Sequence, residues 1–190
     1  MELARIAQEI FSETGVLQHG HFRLTSGRHS DRYMQCARLF EYPDKAEILC
    51  RELAGLFADK QIDCVVGPAV GAVQMAFEVS RHLHCRNMFA ERENSAMTFR
   101  RGFFLPSGAR VLVVEDTITT GGSVREVIDL LRAQGGVVVG VGAIVDRSGG
   151  QVLFDVPMHA CVQVDVPSWA PDECALCREG QPLTKPGSRT

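Results

Sequence analysis

The sequence predicts an α/β fold in which a central parallel sheet is covered by helices on both faces. Three observations lead there. Short apolar runs at residues 63–66, 87–90, 111–114 and 137–145 alternate with longer stretches of helical period, the order that βαβ units produce. The last two runs contain no polar residue, as strands buried on both faces do. Glycine-rich segments follow the runs at 63–66 and 111–114, where a strand must turn tightly into a helix.

Taken in order, Leu3, Ile6, Ile10 and Phe11 share a helical face, and Gly15 stops that helix. Residues 21–25 alternate and read as a strand, with Ser26-Gly27 as its turn. Residues 28–33 are dense in polar groups and read as a solvated loop or part of a site. Pro43 and Asp44 open a second helix, apolar at Ile48, Leu49, Leu53, Leu56 and Phe57. The strand at 63–66 enters a tight loop of Gly67, Pro68, Ala69, Val70 and Gly71, followed by a helix over 72–83 and a strand over 87–90. Residues 91–102 are highly charged without a clean period, and residues 106–108 turn the chain into the strand at 111–114. Glu115 and Asp116 stand where that strand should end. After Thr117, Ile118, Thr119, Thr120, Gly121, Gly122 and Ser123 comes a helix with Val124, Val127, Ile128 and Leu131 on its apolar face. Gly135 and Gly136 stop it, and the strand at 137–145 ends in Asp146-Arg147. The tail from Val156 carries five of the eight prolines and little helix signal; it is expected to pack with the N-terminal segment.

Length and composition bound the rest. The 190 residues suit one domain, 1–190, with a core at about 41–155 and a small subdomain from about 1–40 plus the tail. A net charge of −3 gives no broad attraction to nucleic acid or an anionic membrane. The longest apolar run is too short to span a bilayer. The N-terminus is acidic and amphipathic, unlike an export signal, and the seven cysteines are odd in number. Reduced thiols in the cytoplasm are the expectation. Cys174 and Cys177 form a single CxxC; zinc would need two more ligands, and His159 is the nearby histidine. A structural turn with two thiols is the expected reading.

The chemistry concentrates at residues 115–123. Backbone N–H groups of a glycine–hydroxyl loop at a helix N-terminus seat a phosphate. Carboxylates repel phosphate but suit sugar hydroxyls or a metal ion, so the segment points to a sugar phosphate. Three loops, at 67–71, 115–123 and 146–149, follow strands and should meet at one edge of the sheet, where ligands bind in such folds.

Four apolar residues, two acids and Thr119-Thr120-Gly121-Gly122-Ser123 resemble the phosphoribosyl pyrophosphate (PRPP) signature of the type I phosphoribosyltransferases. Residues 20–28, 67–71, 89–93, 99–102, Asp146-Arg147 and 182–189 extend the resemblance to the orotate phosphoribosyltransferases, over nearly the whole chain. The resemblance implies that family's central parallel sheet with a small hood. It also implies transfer of ribose 5-phosphate from PRPP to orotate in pyrimidine synthesis. Mg2+ is expected to enter with PRPP, with no direct protein ligand. Residues 115–123 are implied in PRPP binding, with Asp116 also catalytic, and Gly67 to Gly71 in facing pyrophosphate. Thr119, Arg147 and Arg28 are implied at orotate, with Thr25 and Ser26 beside Arg28 in the hood. Residues 91–102 match the family's mobile loop, carrying Arg92, Arg100 and Arg101 into the neighbouring site of a homodimer. The chain departs from the pattern at Ala96, before Met97, where relatives carry lysine, and it lacks lysine at Thr25 and at 67–71. A PRPP-binding regulator without turnover, or a transferase for another base, are the competing readings.

Overall fold

The computed structural model describes residues 2–24 and 26–186. Its six-stranded sheet takes β3 (Cys64–Pro68), β4 (Arg86–Glu93), β5 (Ala96–Thr98), β6 (Arg110–Ile118), β7 (Val137–Asp146) and β8 (Met158–Gln163) in the order β5-β4-β3-β6-β7-β8. All neighbours are parallel except the β4–β5 pair. Residues 111–114 are fully buried, and the two-residue period of the strand divides them between two cores. Leu112 and Val114 join one hydrophobic cluster with residues of α1 (Glu2–Thr14), α2 (Pro43–Gly55) and α3 (Val73–His82). Val111 and Val113 join the other with Val124, Val127, Ile128 and Leu131 of α4 (Gly122–Ala133). Each such burial contributes about 1.5–3 kcal/mol.

Glycine in β7 has a packing reason. A Cβ on Gly140 would lie 2.6 Å from Phe57 Cε1, and one on Gly142 3.2 Å from Leu53 Cδ2. The end of α2 and the turn that follows it, at Leu53 and Phe57, therefore rest directly on the β7 backbone.

A separate two-stranded antiparallel sheet joins β1 (Leu17–Arg23) to β2 (His29–Met34). The tail clasps it. Arg23 N–H donates to Thr184 O and Thr184 N–H to His21 O, both at 2.8 Å, while His29 and Trp169 exchange two bonds at 2.8 Å. Ser30 Oγ donates to Pro167 O at 2.7 Å. The short helix α5 (Ala175–Arg178) lies in this tail. Among the described residues, no helix is long and apolar enough to cross a membrane.

Five local expectations are corrected. Residues 29–34 form a strand, because hairpin and tail cover polar side chains that a sequence pattern reads as solvated. The first strand begins at Leu17 and ends at Arg23. The acidic pair lies inside β6, which continues to Ile118 through pairing with β7. Part of the charged segment folds into the β4–β5 hairpin, turning through Asn94 (φ 49°) and Ser95 (φ 69°); two successive positive φ values suit the twist of a two-residue hairpin. Finally, β8 adds to the main sheet beyond residue 155, and α1 packs into the main core. Thr25 and residues 187–189 of the tail motif lie outside the described residues.

Candidate active site

The C-terminal ends of β3, β6 and β7 bring the three loops together. Gly67 lets β3 approach β6 closely: a Cβ there would stand 2.7 Å from Ala72 Cβ and 3.1 Å from Val114 O. At the far end of that loop, a Cβ on Gly71 would be 3.1 Å from Asp116 Oδ2. Arg147 N–H donates to Ile118 O at 2.8 Å, tying the third loop to the second.

Glu115, Thr117 and residues 118–124 line a small polar concavity. Thr119, Thr120 and Gly122 are exposed on it, whereas Ile118 is a core residue 1% exposed. Gly121 caps α4 with φ 73°, a conformation that favours glycine. Thr117 Oγ1 donates to Cys36 Sγ at 2.9 Å. Burial pushes that thiol up to about 12, so it remains neutral.

The two acids are half-buried and adjacent. Burial, and then the Asp116 charge, push Glu115 up to about 8. Burial also raises Asp116, opposed by hydrogen bonding from the Thr117 backbone. The pair thus resists full ionisation near neutrality, and hydroxyl donors or a cation would draw it out.

Arg147 is half-buried, and its Nε has no hydrogen-bond partner among the described residues. The neighbouring carboxylate is otherwise engaged: Asp146 Oδ1 accepts from Ser148 N at 2.8 Å and Ser148 Oγ at 2.7 Å. A buried guanidinium N–H without an acceptor suits an incoming anion.

The loop arginines sit apart from this cluster in their bonding. Arg92 donates to Glu126 Oε1 at 2.6 Å and Ser95 O at 2.9 Å. Arg101 forms a two-toothed pair with Glu91 at 2.9 Å, and Arg100 lies 3.4 Å from Glu93. These are exposed pairs, each worth about 0–1 kcal/mol and easily exchanged. Arg28 is held by the tail, donating to Ser168 Oγ at 3.0 Å and Ser168 O at 2.6 Å.

Arg125 was not legible as part of the site. Its guanidinium donates to Thr120 O at 2.7 Å and Leu153 O at 3.1 Å, pinning the hydroxyl–glycine loop to the segment after β7. Its place in the first turn of α4, behind that loop, was the available signal. The histidines near the CxxC are not the one expected from the sequence. His159 packs edge-on against Phe57, whereas the hairpin carries His21 and His29 to Cys174 and Cys177.

The phosphoribosyl transferase domain family model matches residues 41–171. An orotate phosphoribosyltransferase from Caldanaerobacter subterraneus subsp. tengcongensis is 54% identical over 181 residues, 95% of each chain. That of Thermotoga maritima is 52% identical over 182 residues, 96% of this chain and 97% of its own. The solved orotate phosphoribosyltransferase of Aeropyrum pernix is similar at a TM-score of 0.67 and 26% identity, covering 84% of this chain and 93% of that one. With its phosphate-type loop, acidic pair and an arginine whose Nε lacks a partner among the described residues at one sheet edge, the chain belongs to the phosphoribosyltransferase family, among the orotate phosphoribosyltransferases.

Proposed function

We propose that this protein transfers ribose 5-phosphate from PRPP to orotate, giving orotidine 5′-monophosphate and pyrophosphate. The observation that carries this is the junction of Arg147 with Ile118 O, which sets an anion-seeking guanidinium beside the loop suited to a sugar phosphate. Orotate N1 forms a bond to the anomeric carbon, the bond to pyrophosphate breaks with its electron pair leaving on oxygen, and the N1 proton is lost. Because the reacting carbon becomes cationic as the bond breaks, positioning and charge neutralisation matter more than proton transfer.

The residues divide that work. Backbone N–H groups of 119–123 and the N-terminus of α4 hold the 5′-phosphate. Glu115 and Asp116 accept from the ribose hydroxyls. The backbone of 67–71 faces pyrophosphate. Arg147, with Thr119 and Arg28, holds the orotate ring and its carboxylate. The oxygen-rich acidic pair suits Mg2+ held through PRPP and water; the ion would neutralise pyrophosphate charge.

Arg92, Arg100 and Arg101 exchange their exposed carboxylates for pyrophosphate when the hairpin closes, which excludes water. The partner of the site is a second copy of the chain. Phe40, Phe77 and Phe89 line an apolar groove, with Phe77 55% exposed, and that surface suits a homodimer interface. Seven unpaired cysteines support the cytoplasm as the place of work.

The test is to mix protein, PRPP, Mg2+ and a base, following orotate absorbance and pyrophosphate together. Orotate-dependent pyrophosphate release is expected. Turnover with adenine, guanine or xanthine but not orotate, or PRPP binding without turnover, would reject the reading.

A further inference from the structure

Two histidines of the hairpin and two cysteines of the tail converge outside the sheet edge that binds substrate. The four donor atoms all lie within 4.8 Å of one another. His21 Nε2 and His29 Nδ1 are 3.1 Å apart. Cys174 Sγ lies 3.4 Å from His21 Nε2; Cys177 Sγ lies 3.6 Å from His21 Nε2 and 3.2 Å from His29 Nδ1. Tetrahedral Zn2+ with Zn–N of about 2.0–2.1 Å and Zn–S of about 2.3 Å separates its ligand atoms by roughly 3.3–3.8 Å. The cluster is already near those spacings.

The surroundings fit as well. His21, His29 and Cys174 are buried, and Cys177 is exposed. His21 Nδ1 lies 2.9 Å from Gln181 O, so that nitrogen carries the proton and donates it. The lone pair is thereby left on Nε2, facing the sulfurs, the outer-shell arrangement that orients a metal-bound histidine. Both cysteines are free thiols. Binding would release two thiol protons and leave two thiolates, two neutral imidazoles and a dication, a neutral unit suited to a largely buried place.

We propose that His21, His29, Cys174 and Cys177 form a structural Zn2+ site. All four positions are filled by protein, which leaves none for substrate and assigns the ion to structure. Its ligands come from opposite ends of the chain, 148 residues apart for His29 and Cys177. The ion would lock the β1–β2 hairpin to the tail, adding a cross-link to the backbone bonds at Thr184 and Trp169. Arg28 precedes His29 and is gripped by Ser168 of the same tail, so the hood geometry at Arg28 depends on this joint.

The test does not depend on which base the protein uses. Protein purified without chelator should contain about one zinc per chain by mass spectrometry. Apoprotein reloaded with Co2+ should show thiolate-to-cobalt charge-transfer and tetrahedral d–d bands. Removing the ion should lower Tm, and adding Zn2+ should restore it. Cys174→Ser and Cys177→Ser, singly, should reduce bound zinc at least tenfold. Should either variant fail to fold, the chelation and reloading of the unaltered chain decide the matter alone. Fully reduced protein that takes up neither Zn2+ nor Co2+, a native Cys174–Cys177 disulfide, or zinc retained by the double cysteine variant would overturn the proposal.

Discussion

Arg147 presents the clearest single-residue consequence. Its Nε is buried without an acceptor among the described residues, and Asp146 is turned to Ser148. A charge-assisted hydrogen bond to a ligand carboxylate is worth about 1.5–3 kcal/mol. Arg147→Ala should therefore raise KM for orotate by about 10- to 100-fold while changing KM for PRPP little. Arg147→Lys should recover only part, because an ammonium lacks the planar fork. Steady-state kinetics with each substrate varied separates the two constants. Glu115 carries a second consequence. Its folded-state value, pushed up to about 8, exceeds the ordinary 4.5, so the folded protein binds the extra proton between those values. Stability must then fall as pH rises through that window. Glu115→Gln should flatten the decline, by about 1–2 kcal/mol in denaturant unfolding between pH 5 and 8. Mg2+ and PRPP should release a proton on binding near pH 7, visible by calorimetry in buffers of different ionisation enthalpy.

Among the elements, the β4–β5 hairpin holds Ala96, where the family resemblance implies a lysine. Ala96 follows the Asn94-Ser95 turn and pairs with Glu93, so it stands at the hairpin tip. Ala96→Lys would place a cation there without disturbing a buried group, and kcat should rise by about tenfold or more if transition-state charge is under-neutralised. An unchanged kcat would mean that Arg100 and Arg101 already supply that charge. The sequence made the buried elements legible because apolar runs have few alternatives: residues 111–114 had to be a central strand. The hairpin and β2 were less legible, since Asn94-Ser95 is a weaker turn signal than Asn-Gly, and His29 to Tyr33 owe their cover to a tail more than 130 residues away. The acidic pair and its loop were legible as a candidate site because their chemistry is local. The His–Cys cluster was not, because spacing along the chain carries no trace of ligands drawn from its two ends.

At the scale of the whole molecule, the proposed dimer surface and the proposed arginine loop meet at the sheet edge of β4 and β5. Phe89 of β4 lines the apolar groove with Phe77, and the same strand runs on into the hairpin with Arg92. A partner seated on that groove would lie beside the arginine hairpin, the placement that the proposed closure over a neighbouring site requires. If the chain dimerises through this groove as proposed, the unaltered protein should scatter light as a dimer and Phe77→Asp as a monomer. A mixing experiment distinguishes a loop that serves its own site from one that serves its neighbour. One variant carries Arg92→Ala, Arg100→Ala and Arg101→Ala; the other carries Asp116→Asn. Each should be nearly inactive alone. Random exchange makes half the dimers mixed, and a loop acting across the interface completes one of the two sites in each, restoring about a quarter of full activity. A loop acting on its own chain completes none, because every intact loop then stays with a defective site.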